Sequence, residues 1–361
     1  MPLISPESVE AVRQGADLVE LVRGRVDLVR RGGRWTGRCP FHEERTPSFS
    51  LIPPDNRRYI CFGCGAKGDA ITWMMEKEGA ATFAEAVEAL AERFGITLRY
   101  ERASPQEEAE RVAAERRREL LDRAADFYAE YLRRAEEAAP ARAYLAERGF
   151  GEALLRRFRV GYAPGGGQVL AGRALAQGFS REELEAAGLA RVRGGVAHDF
   201  FTSRITFPIA DARGRVQGFG ARTLDPAQRA KYVNSPERPG FQTRRLVFGL
   251  SLARAEAARR GWIVVAEGYT DVLALAAAGV EAAVACMGTS LTTEQLRLLA
   301  RVAREVRLCF DADRAGQEAA WRTVDAARGV PVRLTAVALP PGRDPVDGPR
   351  EARRMGDEDR G

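Results

Sequence analysis

A multidomain chain, α+β in one part and α/β in another, is predicted by three features of this 361-residue sequence. At roughly 100 to 200 residues per domain the length holds two or three domains. Three cysteines and a histidine crowd into the first hundred residues among Gly-rich turns, which marks a small separate domain. After Gly261, apolar strand-like runs alternate strictly with helical ones, the pattern of parallel βαβ crossovers.

The elements follow in order. Residues 1–103 read as one domain with a helical start over 5–23, the cysteine cluster, and a helix over 82–94. Behind Pro105 the composition turns to charged residues and alanine, so 104–118 reads as a linker, helical in propensity. Amphipathic helices over 120–138 and 141–147, the Gly165-Gly166-Gly167 run and a helix over 182–187 precede strands at 203–210 and 215–223. Those strands are joined by Asp211-Ala212-Arg213-Gly214, whose polar, Gly-ended composition suits a hairpin turn. Residues 119–258 are therefore an α+β subdomain. Over 259–347, strands at 262–266, 282–286, 305–310 and 332–339 are separated by helices starting at Asp271, Thr292 and Ala315, which makes a largely parallel sheet flanked by helices. Residues 348–361 carry no apolar periodicity and are expected to be a disordered tail.

A hydrophobic fraction of 45% suffices for packed cores. The excess of 56 Lys and Arg over 50 Asp and Glu leans toward polyanionic partners, but a net charge of +6 is modest for this length. The start, Met1 to Ser5 with Glu7 and Glu10 close behind, lacks the basic-then-apolar layout of a secretory signal. The longest apolar stretch, 272–287, is broken by Gly279 and Glu281 and is too short to span a bilayer. Five cysteines, three in metal-ligand spacing, suit a reducing interior better than a disulfide framework, so the expected compartment is cytoplasmic, with no membrane partner.

Cys39-Pro40-Phe41-His42 and Cys61-Phe62-Gly63-Cys64 form two ligand pairs with two residues between the ligands of each. One tight turn aims both members of a pair at a metal, and three thiolates with one imidazole close a tetrahedral shell, so one structural Zn²⁺ is expected at Cys39, His42, Cys61 and Cys64. Around them stand Trp35, Arg38, Phe41, Arg45, Phe49, Arg57, Arg58, Tyr59, Phe62 and Lys67. Such interleaving suits bases stacked on rings with cations along phosphates, or else rings filling a core too small to form without metal.

In the alternating domain, acidic segments fall where strands end: Glu267 to Asp271, Asp311 to Gly316, and Asp344 with Asp347. Ligands of a parallel sheet bind beyond the carboxyl ends of its strands. A lone Asp-x-Asp in a loop is usually a solvated cap, but three such segments at neighbouring strand ends point to a shared pocket. Converging carboxylates need cations, and hard oxygen donors select Mg²⁺ or Mn²⁺, the setting of two-metal phosphoryl chemistry. Cys286 and Cys309 lie within strands and read as small buried hydrophobes.

The chain resembles the bacterial DNA primases, which make RNA primers for replication, continuously from about residue 5 to 344. Cys39 to Phe49 and Cys61 to Gly65 look like that family's zinc-ribbon signature. Gly161-Tyr162-Ala163-Pro164, Arg204 to Ile209, Gly218-Phe219-Gly220-Ala221-Arg222 and Lys231 to Glu237 look like its polymerase N-terminal subdomain. The segments at Glu267, Asp311 and Asp313 resemble the metal-binding motifs of the Toprim fold, shared alone with topoisomerases and some nucleases. The resemblance implies a zinc ribbon with helices, an α+β subdomain and a Toprim domain, acting as a DNA-directed RNA polymerase of primase type. It implies that Glu267, Asp311 and Asp313 bind Mg²⁺ or Mn²⁺ with Asp271 and Asp344 in support, and that Arg204, Arg222, Lys231 and Asn234 line a basic groove. A physical reading of those four agrees, since a template backbone or a triphosphate needs fixed cations and amide donors facing the acids. Implied partners are single-stranded DNA, ribonucleoside triphosphates and an RNA–DNA hybrid, with the protein a monomer.

Three departures stand out. Asp344-Pro345-Val346-Asp347 occupies the place of the family's Asp-Pro-Asp, and Thr243 stands where the family often has a lysine, beside Arg244 and Arg245. The chain also stops before the family's further helical subdomain and its helicase-binding domain, so a C-terminal truncation without its usual helicase dock is expected. These departures motivate a competing reading, a non-catalytic single-stranded DNA-binding remnant of a primase. A third is another Toprim enzyme, a nuclease or topoisomerase, although strand passage needs a tyrosine on a separate gate domain for which the chain is short.

Overall fold

The computed structural model describes residues 3–337 apart from 43, 81, 102–103, 239, 288–289 and 312. The chain divides into two compact units, with the boundary between Glu110 and Arg111, inside a continuous helix, Pro105–Arg134. The charged run read as a linker is thus helical from Pro105 onward.

The first unit is built on a five-stranded antiparallel sheet in chain order, β2 (Val29–Arg31), β3 (Arg34–Gly37), β4 (Phe49–Leu51), β5 (Tyr59–Cys61) and β6 (Lys67–Gly68). A two-residue strand β1 (Leu3–Ile4) pairs with β7 (Tyr100–Glu101). The helical start expected over 5–23 consists of two helices, Pro6–Gly15 and Leu18–Arg23. Asp17 breaks it, because its carboxylate accepts from the Glu20 N–H and caps the second helix. Helix Phe83–Phe94 starts where Thr82 accepts from the Glu85 N–H and buries Ala86, Val87, Leu90 and Ala91, spaced as one helical face. Phe41, Phe49 and Tyr59 stack on one another and Trp73 meets them edge-on or tilted, with ring centroids 5.3 to 6.4 Å apart. Phe49 and Tyr59 are wholly buried. Those rings are core, whereas Phe62 is 65% exposed and remains open to a stacking partner.

The second unit holds two main sheets. One is antiparallel, ordered β13-β12-β11-β8, from β8 (Gly161–Ala163), β11 (Arg204–Ala210), β12 (Val216–Thr223) and β13 (Tyr232–Asn234). The predicted hairpin is β11–β12, paired from Arg204 opposite Thr223 to Ile209 opposite Gly218. A second hairpin, β9 (Ala190–Arg193) with β10 (Val196–Asp199), is one the sequence reading did not assign.

The other main sheet is wholly parallel: β15 (Ala283–Ala285), β14 (Trp262–Ala266), β16 (Glu305–Cys309) and β17 (Arg333–Ala336), in that order. From β14 the chain adds β15 on one side and then crosses to add β16 and β17 on the other. Strand order therefore reverses between β14 and β16, which opens a crevice at their carboxyl ends. Ile263, Val264 and Val265 of β14 are completely buried, as expected of a strand covered on both faces.

Tyr269, just past β14, fastens the two sheets together. Its ring lies parallel to Phe207 of β11 at 4.9 Å and edge-on to Phe248 at 5.0 Å. A Cβ at Gly220 of β12 would come within 2.2 Å of that ring. Gly220→Ala is therefore expected to displace Tyr269 and destabilise the second unit by about 1 to 3 kcal/mol, read from urea unfolding, with the parallel sheet still formed by circular dichroism.

Candidate active site and metal centre

In the first unit, one donor atom from each of Cys39, His42, Cys61 and Cys64 lies within 4.8 Å of the others. The β5 end carries Cys61, and the following turn carries Cys64. The Gly63 and Cys64 N–H groups both donate to the Cys61 sulfur at 3.3 Å, and the Phe41 N–H to the Cys39 sulfur at 3.4 Å. Burial first, opposed by the Phe41 N–H, and then the neighbouring Cys61 and Cys64 thiols push the Cys39 thiol up to about 12. Three thiols this close form thiolates together only around a cation, so the donor set fits a closed tetrahedral zinc shell. Among the described residues this is the only group of three or more His, Cys, Asp or Glu donors gathered to metal-binding distance.

In the second unit, Glu267 directly follows β14 and Asp311 lies two residues after β16, at the crevice. One Glu267 carboxylate oxygen accepts from the Asp311 N–H at 2.9 Å, joining the two strand ends. Helix Arg314–Ala326 begins beneath them. A Cβ at Gly316 would fall 2.2 Å from the Asp311 carbonyl oxygen and 3.0 Å from the same Glu267 oxygen, so only glycine lets the helix start so close. Asp313 caps that helix, accepting from the Gly316 N–H at 2.8 Å, and its side chain is exposed. Asp271 is buried and accepts from the Gly268 N–H at 2.8 Å, which fixes the turn carrying Glu267.

Glu267, Asp271 and Asp311 share a cleft of about 640 Å³ with Arg222, Lys231 and Asn234. Asn234 accepts from the Tyr269 hydroxyl at 2.6 Å, so the ring that joins the sheets also joins the acidic and basic walls. Arg222 donates to the Tyr232 hydroxyl at 3.1 Å and lies 4.5 Å over the Tyr144 ring. Its buried Nε has no hydrogen-bond partner among the described residues. The carboxylates line the cleft without meeting at one point. Glu267 and Asp311 are the residues there that could hold a divalent cation.

Arg204 is placed elsewhere. It lines a separate cleft with Arg191, His198 and Phe200, and donates to the carbonyls of Ala230 and Lys231 and to the Gln228 side chain. It is a strut that fixes the backbone at Lys231. Arg148, Glu318 and Arg322 line the acidic cleft too, and sequence reasoning passed over all three. Nothing local separates Arg148 or Arg322 from the other cations among 56, whereas Glu318 lies two residues beyond the Asp311 to Gly316 segment, on the helix that Asp313 caps. Cys286, read as core, is 3% exposed yet touches the cleft. Asp344 and Asp347, with Val346 between them, lie outside the described residues.

Three family profiles match in tandem: a CHC2 zinc finger over residues 4–106, the N-terminal domain of the DNA primase catalytic core over 127–254, and a Toprim-like domain over 264–347. The crystal structure of the zinc-binding and RNA polymerase domains of Aquifex aeolicus primase superposes with a TM-score of 0.64 at 32% identity, covering 97% of this chain and 85% of that one. The chain belongs to the DNA primase family. Another family structure, a DnaG primase catalytic domain bound to single-stranded DNA, matches with a TM-score of 0.62 at 37% identity over 69% of this chain and 78% of that one. The DNA primase of Synechococcus elongatus is 41% identical over 354 residues, 95% of this chain and 51% of the relative. The chain thus spans about half the length of the curated primase it matches there. No described helix is long and apolar enough to cross a membrane.

Stripping zinc with a chelator is expected to lower the thermal transition of the first unit and leave that of the second within about 2 °C, since every zinc donor belongs to the first. Differential scanning calorimetry before and after chelation reads both.

Proposed function

We propose that this primase-family chain synthesises short RNA primers on single-stranded DNA from ribonucleoside triphosphates, by metal-dependent nucleotidyl transfer. The observation that carries the reading is the one cleft at the strand-order reversal, where Glu267 and Asp311 face Arg222, Lys231 and Asn234. Glu267, Asp311 and Asp313 would hold Mg²⁺ or Mn²⁺, with Asp271 and Asp344 in support. Bound there, the cations would lower the pKa of the attacking 3′-hydroxyl and stabilise the departing pyrophosphate. Lys231, fixed through Arg204, and Arg222 supply positive charge for the triphosphate opposite the acids. Asn234, held by Tyr269, presents a polar amide beside them. Tyr269 does not itself ionise, because burial pushes its phenol well above the usual range.

The division of labour follows: residues 1–103 form a zinc-stabilised arm for the template, 104–118 connect, 119–258 guide template and RNA–DNA hybrid, and 259–347 carry the chemistry; the expected tail over 348–361 lies outside the described residues. Zinc at Cys39, His42, Cys61 and Cys64 is structural. On this reading the protein is a cytoplasmic monomer, with a replicative helicase as the family's partner although residues 1–361 do not include the family's usual docking domain for it.

Incubation with single-stranded DNA, labelled ribonucleotides and Mg²⁺ or Mn²⁺ is expected to yield short RNA. Glu267→Gln should reduce the yield on the order of 100-fold or more, whereas Lys231→Ala should act chiefly by raising the KM for nucleotide. Absence of RNA under both metals, with DNA affinity retained, overturns the enzymatic reading.

A further inference from the structure

We propose that Glu44 is a positioning residue for the zinc shell, which orients the His42 ring and couples it to two of the cysteines. This inference rests on the reading of Cys39, His42, Cys61 and Cys64 as zinc ligands. None of those four assignments involves Glu44, and its own contacts single it out.

One Glu44 carboxylate oxygen accepts from the Cys39 N–H at 2.7 Å and from the Ser48 N–H at 2.9 Å. The other accepts from the Ser48 hydroxyl at 2.5 Å and lies 3.3 Å from His42 Nε2. The Ser48 oxygen is in turn 3.1 Å from the Cys61 sulfur. A single carboxylate therefore touches the backbone of one ligand, the ring of a second and, through one hydroxyl, the sulfur of a third. Its side chain is only 10% exposed, unlike a solvated surface acid.

The two nitrogens of His42 face different neighbours. Nδ1 is 3.8 Å from the Cys61 sulfur, on the side of the thiol cluster, and Nε2 is on the side of Glu44. A neutral imidazole has one N–H and one lone pair. With the lone pair of Nδ1 turned to the cluster, the proton sits on Nε2, 3.3 Å from the Glu44 carboxylate and facing it as the acceptor it would use with zinc bound. Carboxylate–histidine pairs of this kind fix the tautomer and ring orientation of metal ligands, and their loss typically weakens metal binding about 10- to 100-fold. The Cys39 and Ser48 N–H bonds hold the carboxylate in place, so the ring is aimed by a group that is itself locked.

Competition of the zinc-loaded 361-residue chain against a chromophoric chelator tests this. The wild-type curve establishes whether one tightly held zinc is present, and its failure would remove the zinc reading itself. Given that zinc, Glu44→Gln, which keeps size and an acceptor oxygen while removing charge, and Glu44→Ala are expected to weaken binding about 10- to 100-fold. Co²⁺ substitution should show shifted ligand-field bands in both. In a His42→Cys background the same Glu44→Gln change should cost little, because no ring is left to orient. Binding by Glu44→Gln as tight as wild type, or an equal loss with and without His42, would overturn the proposal.

Discussion

The Tyr269 side chain is where the two sheets of the second unit and the two walls of its cleft are made into one object. Its ring fills the space left by Gly220, stacks on Phe207, and sends its hydroxyl to Asn234. Because the same residue sits two positions after Glu267, the acidic turn cannot move relative to the basic strand β13 without unpacking a buried aromatic. Electrostatic function at short range depends on such fixed placement: opposing charges help a reacting phosphate only where they do not collapse onto each other. Here Glu267 is occupied by the Asp311 N–H, Asp271 by the Gly268 N–H and Asn234 by the Tyr269 hydroxyl, so the acidic wall is held by backbone donors and the basic wall is tied to it through one side chain.

The first unit meets a different constraint. Its aromatic core is compact and its strands are three or four residues long or less, so the cysteine-bearing turns have little sheet to hold them. Thiol-directed N–H bonds and the Glu44 carboxylate supply that order locally. Of the aromatic residues near the ligands, Phe49 and Tyr59 are committed to the core, which leaves Phe62 as the exposed ring. The same composition that suggested base stacking thus divides into packing and surface only when burial is known.

Periodicity and spacing made much of the architecture legible. The four parallel strands are recoverable from alternating apolar runs because a βαβ unit imposes both its element lengths and its polarity on the sequence. The zinc donors are legible from a two-residue spacing that one turn enforces. Elements without a strong period were not: hairpin β9–β10 is short and half exposed, and the break at Asp17 depends on a cap that competes with helix continuation. Likewise Arg204, grouped with Arg222 by its motif, points its bonds at the loop before β13, because neighbouring strands of one sheet can serve two different clefts.

By itself, then, the sequence determined the residue types, their order and the local turns: three thiols with an imidazole, acids at strand ends, and glycines where backbones pass closely. Only the tertiary structure decided which of them share a site. That choice turns on contacts between residues far apart in the chain, such as Glu267 with Asp311, Tyr269 with Asn234, and the Gly220 gap that admits Tyr269. Those contacts follow from the reversal of strand order and from burial, neither of which is written in the spacing of any single motif.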